Sequence, residues 1–264
     1  MKPLLLGIAL LLAAPAAADE LRDLCPDRPG LDTPPCIVDK GHVLVEAGLG
    51  AWQHDRTNDS VTDTFTTGDV LVRLGVTDRL EGFVGWTAYN HERVRDRATG
   101  LVTRDHGSGD VIFGVKQSLL NPGGGDKASV SVQAFATAPT GSDAFGAGGW
   151  TEGILLPVQL PLPADFTLAL TPEVDRLPDT LRYGHHAEWT GVGGISHALG
   201  KVTAGVELLV SRDDDPGART TQVLTDLNLA YAAGKNLQLD AEVDAGLNHE
   251  TPDIRIAFGV SRRF

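Results

Sequence analysis

From residue 42 onward, apolar and polar side chains alternate with a period of two, as in a strand with two unlike faces. Run 42–53 puts Val43, Val45, Ala47, Leu49 and Ala51 on one side. Run 69–77 opposes Val70, Val72, Leu74 and Val76 to Asp69, Arg73 and Thr77. Run 79–90 opposes Leu80, Val84, Trp86 and Ala88 to Glu81, Thr87 and Tyr89. Comparable runs cover 110–120, 128–138, 152–162, 166–175, 187–199, 202–212, 221–232, 237–248 and 254–264. The clearest is 237–248. The weakest is 152–162, where Pro157 and Pro161 each remove a ladder donor.

Alternation alone suits a soluble sandwich as well as a membrane barrel. Three further patterns separate them. The runs are about 10–12 residues long, near the length that spans a bilayer at a tilt. Their number is even. The links also sort: those after the even runs are tight turns, and those after the odd runs are mostly long and polar, such as 54–63, 91–109 and 139–152. Short turns at one end and larger loops at the other mark an outer-membrane barrel. The sequence therefore predicts an all-β fold, a closed antiparallel transmembrane β-barrel of about 12 strands over 42–264.

Residues 1–18 read as a secretory signal peptide, with Lys2, an apolar run and a small-residue end at Ala16-Ala17-Ala18. Residues 19–41 then form a short periplasmic segment. It holds both cysteines, Cys25 and Cys36, whose spacing in an exported chain suggests a disulfide. The net charge of −13 argues against nucleic acid as a partner. On the last run, Phe258, Val260 and Phe264 share the apolar parity, and Phe264 falls at a membrane interface. An alternating strand with this aromatic end resembles the signal read by the outer-membrane insertion machinery, although Arg262 stands where such signals carry an aromatic ring.

Asp27-Arg28-Pro29, Gly41 and Glu46 resemble the opening of a family of outer-membrane transporters named for the meta pathway of phenol degradation. The strand 109–120, with its Gly-Asp, Gly and Lys, and the corner Ala138-Pro139-Thr140-Gly141 resemble that family as well. The resemblance implies a transport barrel and names no solute.

If the apolar parity faces lipid, the other lines the lumen. It then holds Glu46, Glu81, Asp110, Glu173, Asp175, Glu207, Asp226, Asp240, Glu242 and Asp244 against Arg73, Lys116 and Arg255. Acids in such excess favour cations in a water-filled pore. The alternative is that they pair with bases across a filled interior. The Asp240, Glu242 and Asp244 ladder is the densest group; it reads as a solvated wall, with Arg255 as a partner for one member and a calcium site as the lesser reading. The basic stretch 91–107 is a surface loop that would meet lipopolysaccharide phosphates or balance its own acids. His185-His186 reads as solvent-exposed loop polarity.

No cofactor or metal is called for. Ser108 and Ser196-His197 are the only hints of a nucleophile, and neighbours on a strand face opposite sides, so the chain does not read as an enzyme. The expectation is a channel or transporter in the bacterial outer membrane, in contact with its lipids and lipopolysaccharide and passing small molecules, hydrophobic or aromatic ones among them. A non-conducting structural or adhesive barrel is the alternative, and an outer-membrane lipid hydrolase a more distant one.

Overall fold

The computed structural model describes residues 21–181 and 184–264; the expected signal peptide lies outside the described residues. Every regular element among them is a strand: β1 (Val43–Arg56), β2 (Ser60–Gly75), β3 (Leu80–Asp96), β4 (Val102–Gly107), β5 (Val111–Leu120), β6 (Ser129–Ala138), β7 (Thr151–Leu155), β8 (Val158–Leu162), β9 (Phe166–Pro178), β10 (His185–Leu199), β11 (Val202–Asp213), β12 (Thr220–Gly234), β13 (Leu237–Gly246) and β14 (Ile254–Arg263). All strand pairings are antiparallel, β14 pairs with β1, and β9 pairs with β10, so the sheet closes on itself.

Twelve staves make the barrel. β4 only extends β3 into a hairpin above the wall, its Val102–Gly107 lying against Asn90–Arg95. β7 and β8 are two halves of one stave, both paired to β6 and β9. The break falls at Leu156-Pro157. Pro157 has no N–H to give, and Pro172, opposite Leu156 on β9, has none either, so the ladder loses donors on both sides of one gap. The backbone bonds Leu156 N–H to Pro172 O (3.0 Å) and Ser131 N–H to Pro157 O (3.0 Å) carry the stave across.

The predicted apolar parity faces outward. Leu74, Val84, Trp86, Phe113, Val115, Leu227, Leu229 and Phe258 are all exposed. So continuous an apolar surface is untenable in water and is what a lipid-facing wall requires. Aromatic rings edge it at both ends: Phe166, Tyr231 and Phe264 near the tight turns, and Trp52, Trp86, Trp150 and Trp189 toward the other end. Along β1, the rise from Val43, which bonds to Phe264, up to Trp52 covers roughly 25 Å, the height of an outer-membrane apolar band.

Two readings of the loops are corrected. The 54–63 stretch is mostly strand, because β1 runs to Arg56 and β2 starts at Ser60; polar alternation above the membrane carries no hydrophobic signal. The 91–107 stretch is the β3–β4 hairpin, not a loop. Parity also reverses partway up. The β1–β14 register shifts between Gly48 and Gly50, and Gly68 has φ +68°, a conformation open to glycine. Above that level Trp52, Phe65 and Tyr89 point outward and Ala51 inward, so Ala51 and Tyr89 sit on the faces opposite to those their parity predicts.

Candidate functional site: a stapled loop in the lumen

The sequence sets 19–41 apart from the barrel as a periplasmic segment; the structure folds its described residues, from 21 on, into the lumen. The segment enters at the tight-turn mouth, climbs, and returns to the same mouth. Both ends are held there by one side chain. Arg263 donates from Nη1 to Arg22 O (2.7 Å) and to Asp39 Oδ2 (2.8 Å). The Cys25–Cys36 disulfide closes the stem of the loop, with the two Cα atoms 6.4 Å apart. Residues 27–33 form its tip.

A lower tier of wall charges grips the stem. Arg73, fully buried, bonds Glu81 with both Nε (2.9 Å) and Nη2 (3.2 Å) and reaches Glu46 (3.1 Å) on its other side. The same guanidinium donates to Asp27 Oδ1 (2.7 Å), Cys25 O (3.0 Å) and Cys36 O (3.2 Å) of the loop. Lys116, also fully buried, donates to Asp27 (3.0 Å) and Pro34 O (3.1 Å). Glu81 accepts from Val38 N–H at 2.7 Å. Buried charges persist only when paired and hydrogen-bonded, and this tier meets that condition by sharing its partners with the loop.

An upper tier holds the tip, and here the wall supplies acceptors to backbone N–H groups. Glu242 accepts from Gly30 N (2.9 Å), and Glu207 from Leu31 N (2.6 Å) and Asp32 N (2.9 Å). Glu46 accepts from Arg28 N (3.1 Å), while the Arg28 side chain reaches Asp240. Above the tip, Arg255 bonds Glu242 and also Asp244 (2.8 Å). Glu207, Asp226, Asp244 and Arg255 sit in one cross-strand row on β11 to β14. Within it Asn228 donates to Asp226 (2.5 Å) and Glu207 (3.1 Å). A cavity of about 220 Å³ remains between loop and wall, lined by residues that include Pro29, Asp32, Ala169, Gly194 and Gln238.

The predicted lumen residues thus divide. Glu46, Arg73, Glu81, Lys116, Glu207, Asp240 and Glu242 face inward and contact the loop. Asp226, Asp244 and Arg255 face inward just above it. The Asp240–Glu242–Asp244 ladder is bonded to Arg28, Gly30 and Arg255 and is not a bare solvated wall. Asp110 does something else: its carboxylate accepts from Gly141 N (2.6 Å) and Ala147 N (2.7 Å), folding the 139–150 loop at the far mouth. Sequence reasoning missed Arg28, Asp27, Asp39 and Arg263. Arg263 was within reach, since it shares the inward parity of Arg255 and Ser261.

At the far mouth the His186 side chain is only 5% exposed, contrary to its reading as solvent-exposed polarity. Its Nδ1 faces Asp179 and its Nε2 faces Asp213, each at 3.0 Å. The nearby Asp215 accepts from the Thr180 hydroxyl (2.6 Å) and Gly217 N–H (2.8 Å), which hold its carboxyl below the ordinary range. The group ties the loops after β9 and β11 together. On the β3–β4 hairpin, Arg93 pairs with Asp63 of β2 at 3.5 Å, so part of its basic charge is balanced within the molecule. His197 stacks on Phe166 with ring centroids 4.3 Å apart, turned away from Ser196.

The sequence profile of a family described as "Putative MetA-pathway of phenol degradation" matches residues 26–264. No curated protein matches the chain. Among solved structures, it is similar to an outer membrane channel from Pseudomonas putida F1 at 15% identity and TM-score 0.66, over 87% of this chain and 98% of that one. It is similar to the transport unit of the autotransporter AIDA-I from Escherichia coli at 10% identity and TM-score 0.56, over 85% and 91%. A NanC porin matches at 12% identity and TM-score 0.51, over 83% and 98%. At these identities the likeness is one of fold, the outer-membrane barrel.

Proposed function

The chain belongs to the MetA-pathway of phenol degradation family, and from that premise we propose that it is an outer-membrane transporter whose lumen is closed at rest by its own N-terminal loop. One observation carries this reading: the loop is held in the lumen by side chains of the wall, with a stapled stem and both ends at one mouth. Side chains of the wall alone fill an interior of about eight strands, and twelve strands enclose a wider one. Here the wall instead spends its buried charges on a separate segment. Small molecules pass when the loop withdraws, and the family's description supports hydrophobic or aromatic compounds among them. The apolar belt contacts outer-membrane lipid and the β3–β4 hairpin meets lipopolysaccharide. Phe258, Val260 and Phe264 on the outer face of β14 form the segment read by the insertion machinery.

Reduction of the disulfide tests the reading on the intact protein. The staple restricts the withdrawn loop, and losing it shifts docking by about 3 kcal/mol, on the order of a hundredfold. In a planar bilayer the oxidised protein is expected to give small or rare steps, and the same molecules larger and more frequent ones after a phosphine reductant is added. A folded barrel whose conductance is the same before and after reduction would overturn the proposal.

A further inference from the structure

One cross-strand row of the lumen has the form of a cation site. Asp240 of β13 pairs with Gly259 of β14, Gly259 with Gly48 of β1, and Gly48 with Asp69 of β2. Two glycines therefore make a flat floor, with a carboxylate at either end. The Arg28 guanidinium lies on that floor. A Cβ at Gly259 would stand 2.3 Å from Arg28 Nε, and one at Gly48 would stand 3.5 Å from Nη1. A side chain larger than hydrogen at Gly259 would exclude a planar cation.

Arg28 fills this site imperfectly. Its Nε (3.3 Å) and Nη2 (3.2 Å) both point at the same oxygen of Asp240, and Asp69 is 3.9 Å from Nη1. Asp240 Oδ2 is buried and has no hydrogen-bond partner among the described residues, on a side chain with no exposure. A buried carboxylate oxygen without a partner is costly. A planar cation bonds a carboxylate best through two parallel N–H donors, one to each oxygen. Arg28 is prevented from doing so by its own backbone, pinned by Glu46 on its N–H (3.1 Å) and by Gln238 on its carbonyl (2.8 Å).

We infer that the Asp240–Gly259–Gly48–Asp69 row is a binding site for guanidinium or amidinium groups of solutes, occupied at rest by Arg28 as a built-in competitor. The inference rests on the reading of residues 21–40 as a removable stopper. The site lies at the tip of the loop, next to a small space lined by Gly50, Ala51, Thr66 and Arg255 on the side away from the tight turns. A solute descending from the surface loops passes Arg255 and Asp244 and then meets this row at the tip. A solute that makes both bonds to Asp240 displaces the tip, so entry of the cation and loosening of the loop are one event. Because Arg28 is tethered, its effective concentration is of millimolar order, and a competing solute must approach that level.

Saturation-transfer NMR on the methyl protons of methylguanidinium, with the refolded full chain in detergent micelles, reads binding without requiring conductance. Arg28→Gln vacates the site and is expected to show methylguanidinium binding with half-saturation on the order of 1–10 mM, with the intact chain weaker because Arg28 competes. Adding Asp240→Asn removes a charged acceptor and is expected to weaken binding about tenfold or more. Gly259→Ala in the Arg28→Gln background is expected to do the same by raising the floor. Tetramethylammonium, with no N–H, is not expected to compete. Heat-modifiable migration on gels verifies that each variant is folded, and Arg28→Ala replaces Arg28→Gln if the latter does not refold. Equal binding with and without Asp240→Asn, or full competition by tetramethylammonium, would overturn the assignment. Conductance that rises on reduction while methylguanidinium fails to bind would leave the transporter standing and refute only this site.

Discussion

Arg73 has five N–H donors in a fixed planar fork, and the structure uses them on Glu81, Glu46, Asp27 and two carbonyls of the loop stem. A lysine keeps the charge but not the fork, so Arg73→Lys is expected to retain the barrel and loosen the stem. Arg73→Met strips the buried Glu46 of its base and leaves Asp27 and Glu81 to share Lys116 alone. Breaking a buried pair from one side costs about 3–5 kcal/mol, and urea titration of the protein in lipid vesicles should show a loss of that order. A loss below about 1 kcal/mol, the worth of an exposed pair, would mean the tier is hydrated and does not grip the loop. At this scale the sequence was half legible. Strict parity placed Arg73, Glu81, Lys116 and Glu207 indoors, because an inward position on a strand needs only counting. It did not reveal their partners. Arg28 and Asp240 are 212 residues apart, and no local pattern links an extended, proline-rich segment to a particular rung of a wall.

The elements were read well where lipid imposes a pattern and poorly where water replaces it. Ten to twelve residues of each stave lie against apolar surroundings and alternate cleanly. β1, β2 and β3 run for 14, 16 and 17 residues in all, and their ends above the membrane have no apolar face to mark them and so read as loops. The two prolines that made 152–162 the weakest run flank or interrupt the observed break: Pro157 lies in the gap and Pro161 within β8. This stave is the least tightly laddered part of the wall. Hydrogen exchange of the micelle-bound protein should therefore show faster exchange at Leu155, Leu156 and Val158 than at Val243 to Ala245, where the ladder runs unbroken on both sides. Equal protection would mean that the missing donors are made good elsewhere.

For the molecule as a whole, excess acid indoors becomes consequential once the loop leaves. Docked, Asp240 and Glu242 are engaged with Arg28 and Gly30; with the loop withdrawn as proposed, they would join Asp226 and Asp244 along the passage, four acids with Arg255 as the base bonded to two of them. The reduced channel should then prefer cations under a KCl gradient. Asp240→Asn, Glu242→Gln and Asp244→Asn together should shift its reversal potential toward zero; an unchanged potential would refute the role of this ladder in charge selection.

Both ends of the loop are held at one mouth by Arg263, and that has a kinetic meaning. On the proposed reading the stopper would leave and return by the same door, still tethered to the wall. Its return would then be a first-order event within one chain, indifferent to copy number and opposed only by a solute that holds its seat. A ten-residue loop closes in about 10–100 ns when nothing obstructs it, and this longer one would close more slowly. With the disulfide intact, such a passage would have no persistent open state of its own, and the time it stays open would be the residence time of whatever occupies the lumen.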